Sequence, residues 1–331
     1  MNGVDDVALR RFCRSAECLF EIWQMPKFFK FGDAQCEIYR RTRDGTDEHN
    51  ASGREFIEAL WQDYGMFLDR DALKRAGQSM PTVFWELYLA NALKCSGVSL
   101  RQQRDRTKKN QKGPDLFAAN PDVWIEAVMP GPGTGPDAVP YPPRIGGYDV
   151  PVDTFILRLR SSFEDKARKM TGYIDGRLIQ PGQATVIAIS GALLPSAIGE
   201  GPGPVPVPRV VQAFVGVGNL VLDVDPKTRE TVSRSVAHHD EIRKTSGGPV
   251  ATDPFIGHAY SHISAVAYSA SDWATDPERP GTEFVLIHND NATVRLPRGW
   301  LSAGVEYWRE NSELRWTTRS LPPPTIPPSR R

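Results

Sequence analysis

No Cys-x-x-Cys pair occurs in the 331 residues, and the chain holds only four cysteines, Cys13, Cys18, Cys36 and Cys95. A zinc knuckle built on paired thiolates is therefore not expected; four reduced, mostly buried thiols are. No apolar run approaches the roughly 18 residues that a membrane-spanning helix needs. Met1 to Asp6 lacks the basic start and apolar core of a signal peptide, which points to the cytoplasm. There is no excess of charge of either sign, because Lys+Arg and Asp+Glu both number 40. A chain that coats nucleic acid without selectivity is usually basic overall, so any such surface here must be a local patch. There is no internal repeat, no phosphate-binding P-loop and no Gly-x-Ser-x-Gly elbow. Gly216-Val217-Gly218-Asn219 lacks the third glycine and the helix opening of a dinucleotide fingerprint.

What is present is an ordinary globular balance, 40% apolar and 24% charged, able to bury a sizeable core. Residues 1–78 read as mostly helical. From Arg54 to Ala76, Phe56, Ile57, Leu60, Tyr64, Phe67, Leu68 and Leu73 recur at helical spacing, while the polar residues 40–53 read as a loop. Pro81 suits a first helical turn, and the apolar run Val83 to Lys94 ends at Gly97. Strands are expected at Val98–Arg101, about 115–118 and about 122–128, the last two joined at Asn120-Pro121. Residues 130–153, rich in proline and glycine, form a long irregular loop of a kind often functional. A helix over about 157–176 and a strand Thr185–Ser190 follow. Residues 199–208 read as a loop, and Val210 to Val224 as one or two strands. A helix or strand lies over 255–268, a strand over Glu283–His288, and the Pro-rich tail 319–331 is expected to be disordered. The order of elements predicts an α/β layer arrangement, with a helical extension over 1–78 and an α/β domain over 79–318.

Asp115 and Glu126 are the centre of interest. If Ala119-Asn120-Pro121 makes the turn, Asp115 falls opposite residue 125 or 126. Directly opposed side chains on one face lie about 4.5–5.5 Å apart at Cβ. Two carboxylates so placed repel unless a cation or proton lies between them, and a hard divalent ion takes such oxygens. Alternation puts Trp124, Glu126 and Val128 on one strand face, where an uncompensated charge would be costly. The plainer alternative is a strand-end Asp in a turn and a solvent-facing Glu. Glu86, within Phe84 to Ala90, shares a helix face with Leu89, Ala90 and Leu93 and so needs a partner. It is either a third acid of the site or the partner of an arginine or backbone group in the core.

A helix with a Glu, then Gly113-Pro114-Asp115, then the apolar strand Trp124-Ile125-Glu126-Ala127-Val128 resembles the PD-(D/E)XK, restriction-endonuclease-like nuclease core. Further segments resemble an uncharacterised bacterial group of that superfamily. They are Arg158 through Tyr173, Val186-Ile187-Ala188-Ile189, Ile263-Ser264-Ala265, His288-Asn289 and Leu296-Pro297, and together they span roughly 81–300. The resemblance implies a mixed central sheet flanked by helices, with Asp115 and Glu126 as ligands of Mg²⁺ or Mn²⁺ and Glu86 as an accessory acid. It implies hydrolysis of phosphodiester bonds in nucleic acid, DNA before RNA. In the superfamily pattern a lysine stands two residues after the Glu; this chain has Val128 there. That lysine helps position water or stabilise developing charge.

Lys166 is the candidate replacement. The helix stripe is Phe163, Ala167, Met170 and Ile174, and Lys166 lies on its flank, beside Tyr173, from where it could snorkel into the site. Lys169 lies further round and is expected to be solvated. The alternative for Lys166 is an exposed helix lysine. Arg101 through Lys112 carries six basic residues, Arg101, Arg104, Arg106, Lys108, Lys109 and Lys112, and one acid. It is either a phosphate-binding patch, extended by Arg158 and Arg160, or a solvated hairpin. His258 and His262 are spaced like one helix face but lack an intervening Glu and a third ligand, so zinc is not expected. His238-His239-Asp240 reads as a loop, and His288 as a packed or hydrogen-bonded residue. Three functions compete: a Mg²⁺-dependent nuclease, a catalytically silent nuclease fold that binds nucleic acid or regulates, and an interaction protein with no nucleic-acid role. A homodimer is compatible with each; a membrane partner is not.

Overall fold

The computed structural model describes residues 25–102, 112–197, 207–273, 280–311 and 313–319. Among the described residues four α-helices come first: α1 (Glu37–Asp44), α2 (Glu48–Tyr64), α3 (Ala72–Ala76) and α4 (Met80–Cys95). There follow β1 (Ser99–Leu100), β2 (Leu116–Ala119), β3 (Val123–Val128), α5 (Val152–Asp175), β4 (Ala184–Ser190) and α6 (Arg209–Val215). The rest is strands: β5 (Val217–Val224), β6 (Thr231–His238), β7 (Glu241–Arg243), β8 (Pro249–Ala251), β9 (Ala265–Ser269), β10 (Val285–His288), β11 (Gly304–Glu310) and β12 (Glu313–Arg319). An eight-stranded mixed sheet runs β1-β2-β3-β4-β9-β10-β11-β12, and β5-β6 and β7-β8 form separate two-stranded ribbons. The β3–β4, β4–β9 and β10–β11 pairs are parallel, the remaining neighbours antiparallel. This is an α/β protein of N-terminal helices followed by a mixed sheet. Among the described residues no helix is long and apolar enough to cross a membrane.

The pleat sorts the sheet's side chains between two apolar clusters. Val123, Ile125 and Ala127 of β3, with Val186 and Ala188 of β4, face the cluster that contains Phe56, Leu60, Phe84 and Trp85 of α2 and α4. Trp124 of β3, with Ile187 and Ile189 of β4, faces the cluster of Phe155, Phe163 and Met170 on α5 and Phe214 on α6. Trp85 Nε1 donates to the carbonyl of Ala188 at 3.1 Å, tying α4 to the middle of the sheet. Both clusters are apolar on nearly every side chain, which explains why β3 and β4 read as near-continuous hydrophobic runs.

The N-terminal helices depart from expectation. Residues 40–53 are largely helical rather than a loop. Tyr39 and Thr42 of α1 are buried. The Asp47 side chain accepts from the Asn50 N–H at 3.0 Å, capping α2. Arg54 Nη1 donates to the carbonyls of Thr42, Arg43 and Gly45, satisfying groups that the end of α1 would leave bare. The single helix expected over 54–76 breaks after Tyr64 into a 3₁₀ turn, Gly65–Phe67. A Cβ at Gly65 would lie 2.8 Å from the Trp61 ring, so the turn needs glycine for this close approach.

The expected strand over Val98–Arg101 shrinks to Ser99–Leu100. The helix expected at about 157 starts at Val152, straight after Pro151. Residues 129–151 contain no regular element, yet the loop is anchored, with Asp137 accepting from Thr245 N at 2.7 Å and Oγ1 at 2.6 Å. The first half of Val210–Val224, expected as strand, is helix α6, ended by Gly216 at φ 64°. The valines favour extended backbone, but α6 is buried on every side, and Phe214 packs against Phe163 of α5 with centroids 4.9 Å apart. Packing decides here against propensity. The 255–268 region holds a strand only from Ala265. Strands β11 and β12 add to those expected from the sequence. The loop expected at 199–208 is described only at its last two residues, and the tail from residue 320 lies outside the described residues, as do Cys13 and Cys18.

Candidate functional site

The β2–β3 hairpin builds the site. Leu116 pairs with Ile125, Phe117 with Trp124 and Ala118 with Val123. One step further in the same register brings Asp115, just outside β2, opposite Glu126. The turn is the expected one, with Asn120 at φ 59° and a cis Asn120–Pro121 bond. Asp115 Oδ2 accepts from the Ala127 N–H at 2.7 Å, which fixes the carboxyl against β3. Glu126 is fully buried. It lies on the strand face turned towards α5, between Trp124 and Val128, as alternation predicts.

Helix α5 crosses over this face and supplies the counter-charge. Lys166 Nζ donates to Glu126 Oε1 at 2.7 Å, and Lys169 Nζ donates to the same oxygen at 2.5 Å. The expectation for Lys166 is met in position. The expectation of a solvated Lys169 is corrected. Its side chain is 46% exposed against 22% for Lys166, but its ammonium reaches inward to Glu126. A long aliphatic stem allows this, since the stem can lie along the helix flank while the head finds the charge. The Lys169 ammonium also lies 5.7 Å from the Tyr173 ring centroid. Lys166 and Lys169 are neighbours at i,i+3 on α5, so both stems reach the one carboxylate. Glu126 Oε2 is buried and has no hydrogen-bond partner.

Glu86 belongs to another pairing. Arg75 of α3 donates from Nη1 to Oε1 and from Nη2 to Oε2, both at 2.7 Å. Arg75 also lies 3.0 Å from Asp69. The arginine partner held open in the sequence is thus present, and no spacing rule pointed to it. Glu86 and Asp115 nevertheless feel each other. Burial, then the charges of Glu86 and Glu126, push the Asp115 carboxyl up to about 8, against the opposing pull of Lys166. Burial likewise raises Glu86 above the usual carboxylate range despite Arg75. Burial alone would lower Lys169, but the charge and hydrogen bond of Glu126 hold it above the ordinary lysine value.

Among the described residues no group of three His, Cys, Asp or Glu side chains is arranged to hold a metal ion. Asp115 and Glu126 form a pair, with Glu86 engaged by Arg75. The pair still suits a hard cation that keeps its other positions for water or substrate. Its donors are carboxylate oxygens, one of them, Glu126 Oε2, is buried without a partner, and burial with the neighbouring charges of Glu86 and Glu126 pushes the Asp115 carboxyl up, which a cation between the acids would oppose.

The basic patch is described only at its ends. Arg101 stacks over Phe117 at 5.0 Å and lies 3.7 Å from Asp122; Lys112 is exposed. Arg104, Arg106, Lys108 and Lys109 lie outside the described residues. Arg158 donates from Nε to the Gly131 carbonyl at 3.0 Å. Arg160 does not extend a surface patch. It is 2% exposed, donates to the Ala251 carbonyl and to Glu164, and sits among Phe163, Phe214 and Tyr260. His258 and His262 lie in turns rather than on a helix, and His262 Nε2 is 3.2 Å from both Thr171 Oγ1 and the Ala167 carbonyl. His238 ends β6, and only His239-Asp240 are loop. His288 is buried with its Nε2 3.8 Å from Glu306 Oε1, a packed residue as expected.

Comparison of the chain with family models, with curated proteins and with solved structures finds no match.

Proposed function

We propose that this chain is a metal-dependent nuclease of the restriction-endonuclease-like type, acting on phosphodiester bonds of nucleic acid in the cytoplasm, DNA before RNA. The observation that carries it is one arrangement. Asp115 and Glu126 face each other across a hairpin, and helix α5 brings Lys166 to the Glu126 carboxylate, 2.7 Å away. Two carboxylates with hard oxygen donors and a lysine are the parts such chemistry uses. Val128 occupies the usual place of the lysine, and Lys166 supplies the same charge from the helix instead.

Asp115 and Glu126 would hold Mg²⁺ or Mn²⁺, which would polarise a phosphoryl oxygen and lower the pKa of bound water. The protein's own part is positional. The Ala127 N–H orients Asp115. Lys166 offers a donor beside the acids, aimed at charge that develops on a phosphate oxygen or an attacking water. Arg75 compensates Glu86, so that the third carboxylate does not compete as a free charge. The basic stretch that opens at Arg101 and closes at Lys112 would contact phosphates of the strand. The order of helix α4, hairpin β2–β3, crossover α5 and parallel strand β4 is consistent with the same fold type.

A second reading has its own support. With both lysines on Glu126 the carboxylate is already engaged by cations of the chain itself, which suits a silent nuclease fold that binds or regulates. Incubation of the chain with supercoiled and linear DNA and with RNA, in Mg²⁺ or Mn²⁺, separates the two. The nuclease reading expects cleavage that D115N and E126Q abolish. Cleavage surviving in the double variant sinks the site; binding without cleavage under every condition favours the silent fold.

A further inference from the structure

Two ammonium groups on one oxygen is an unusual use of charge. Lys166 and Lys169 both donate to Glu126 Oε1, while Oε2 of the same carboxylate has no partner. The two cations repel each other, and either one alone would compensate a single glutamate. Their surroundings differ. Lys166 is the more buried and acts electrostatically on Glu86 and Asp115 as well as Glu126. Lys169 is nearly half exposed; it too feels the charge of Asp115, and its ammonium lies 5.7 Å from the ring centroid of the flank residue Tyr173.

We propose that Lys169 is an exchangeable cation. It holds Glu126 in the free protein, gives way when a divalent ion joins Asp115 and Glu126, and then binds a phosphate of the nucleic-acid strand. The proposal rests on the nuclease reading and adds a substrate-positioning residue to it. The physical reason is charge crowding. A divalent ion beside Glu126 makes three cationic centres around one carboxylate, and Coulomb repulsion between them is strong where water is partly excluded. The group that leaves at least cost is the one with a solvated route out, which is Lys169. Its four-carbon stem lets the ammonium move from the strand to the rim of the helix without a change in α5. Tyr173, one turn on, offers an aromatic face along that route.

Two measurements on the intact chain test this. Mn²⁺ binding, without nucleic acid, is followed by titration calorimetry or by the Mn²⁺ electron-spin signal in the wild type, K169M and K166M. Loss of a competing half-exposed ion pair should tighten Mn²⁺ binding to K169M by about fivefold. Equal or weaker binding by K169M overturns the exchange. If neither wild type nor K169M binds Mn²⁺, the metal site itself fails, and with it the reading beneath the proposal. The second measurement is the salt dependence of binding to a duplex oligonucleotide in Ca²⁺. Loss of one phosphate contact should reduce the slope of log K against log[salt] by about 0.9 in K169M, while K169R keeps it. A slope unchanged in K169M shows that the released lysine does not reach phosphate. Lys169 lies on the exposed flank of α5, so K169M should fold, and its far-UV spectrum and melting curve check that it does.

Discussion

Arg75 and Glu86 meet end on, through two parallel hydrogen bonds of 2.7 Å each, at a carboxylate that is only 3% exposed. Removing one partner of such a pair leaves an uncompensated buried charge, which costs far more than the pair contributes. R75M should therefore lose about 3 kcal/mol of stability, read as a lower urea midpoint at unchanged slope. R75M/E86Q should recover a good part of it. A loss below ~0.5 kcal/mol in R75M, the scale of ordinary surface substitutions, would show that the pair is not what holds Glu86 in place.

Asp115 gives the fold a pH dependence. Its carboxyl is pushed up to about 8, against roughly 3.9 in an unfolded chain. Between those values the unfolded state has released a proton that the folded state keeps. Stability from this group is thus full below about pH 4 and is lost as pH rises towards 8. D115N keeps an acceptor for the Ala127 N–H but has no proton to lose. It should be the more stable protein, by a margin that grows from pH 5 to pH 8 in thermal melts. Mg²⁺ at pH 8 should raise the wild-type melting temperature and leave D115N unmoved. A pH-independent margin would show that Asp115 stays ionised in the fold.

The hairpin was legible in the sequence because period-2 alternation and one turn fix its register, and register fixes which carboxylates face each other. Lys166 was legible from its angle on the helix. Lys169 was not, because angle locates a Cβ and says little about where a four-carbon stem ends. Arg75 was illegible for a different reason: its partner lies on another helix, and only the docking of α3 on α4 brings them together. The polar residues of α1 and the valines of α6 misled in opposite directions. In each, tertiary contacts, the Arg54 cap and the Phe163–Phe214 packing, decided against the local preference.

A helix lysine in place of a strand lysine makes a kinetic prediction. K166M should lower the rate of cleavage by about 10²-fold or more, the usual cost of losing one charge-stabilising donor, without weakening Mn²⁺ binding. Val128 lies on the same face of β3 as Glu126, so V128K in the K166M background should return part of the lost rate. Full activity in K166M, measured as initial cleavage rate at saturating Mg²⁺, rules out a catalytic part for Lys166.

Trp85 stands next to Glu86 on α4 and joins that helix to the sheet, stacked on Phe284 at 5.8 Å and hydrogen bonded to Ala188. W85F removes the donor and leaves a small void; it should cost about 1–2 kcal/mol. W85A should cost about 3–5 kcal/mol. Chemical denaturation measures both. An unchanged midpoint in W85A would mean that α4 does not depend on this anchor.

The acids and the lysines reach the site by different routes along the chain. Asp115 and Glu126 meet through a short hairpin, whereas Lys166 and Lys169 are 40 and 43 residues beyond Glu126 and arrive only when α5 lies across the sheet. Until then the hairpin exposes two like charges with nothing between them, and at neutral pH their repulsion opposes its closure. The crossover helix is therefore also the hairpin's clasp. A nascent chain stalled before α5 emerges would hold the two carboxylates without the lysines that pair with Glu126, so this charge cluster cannot be assembled ahead of the fold.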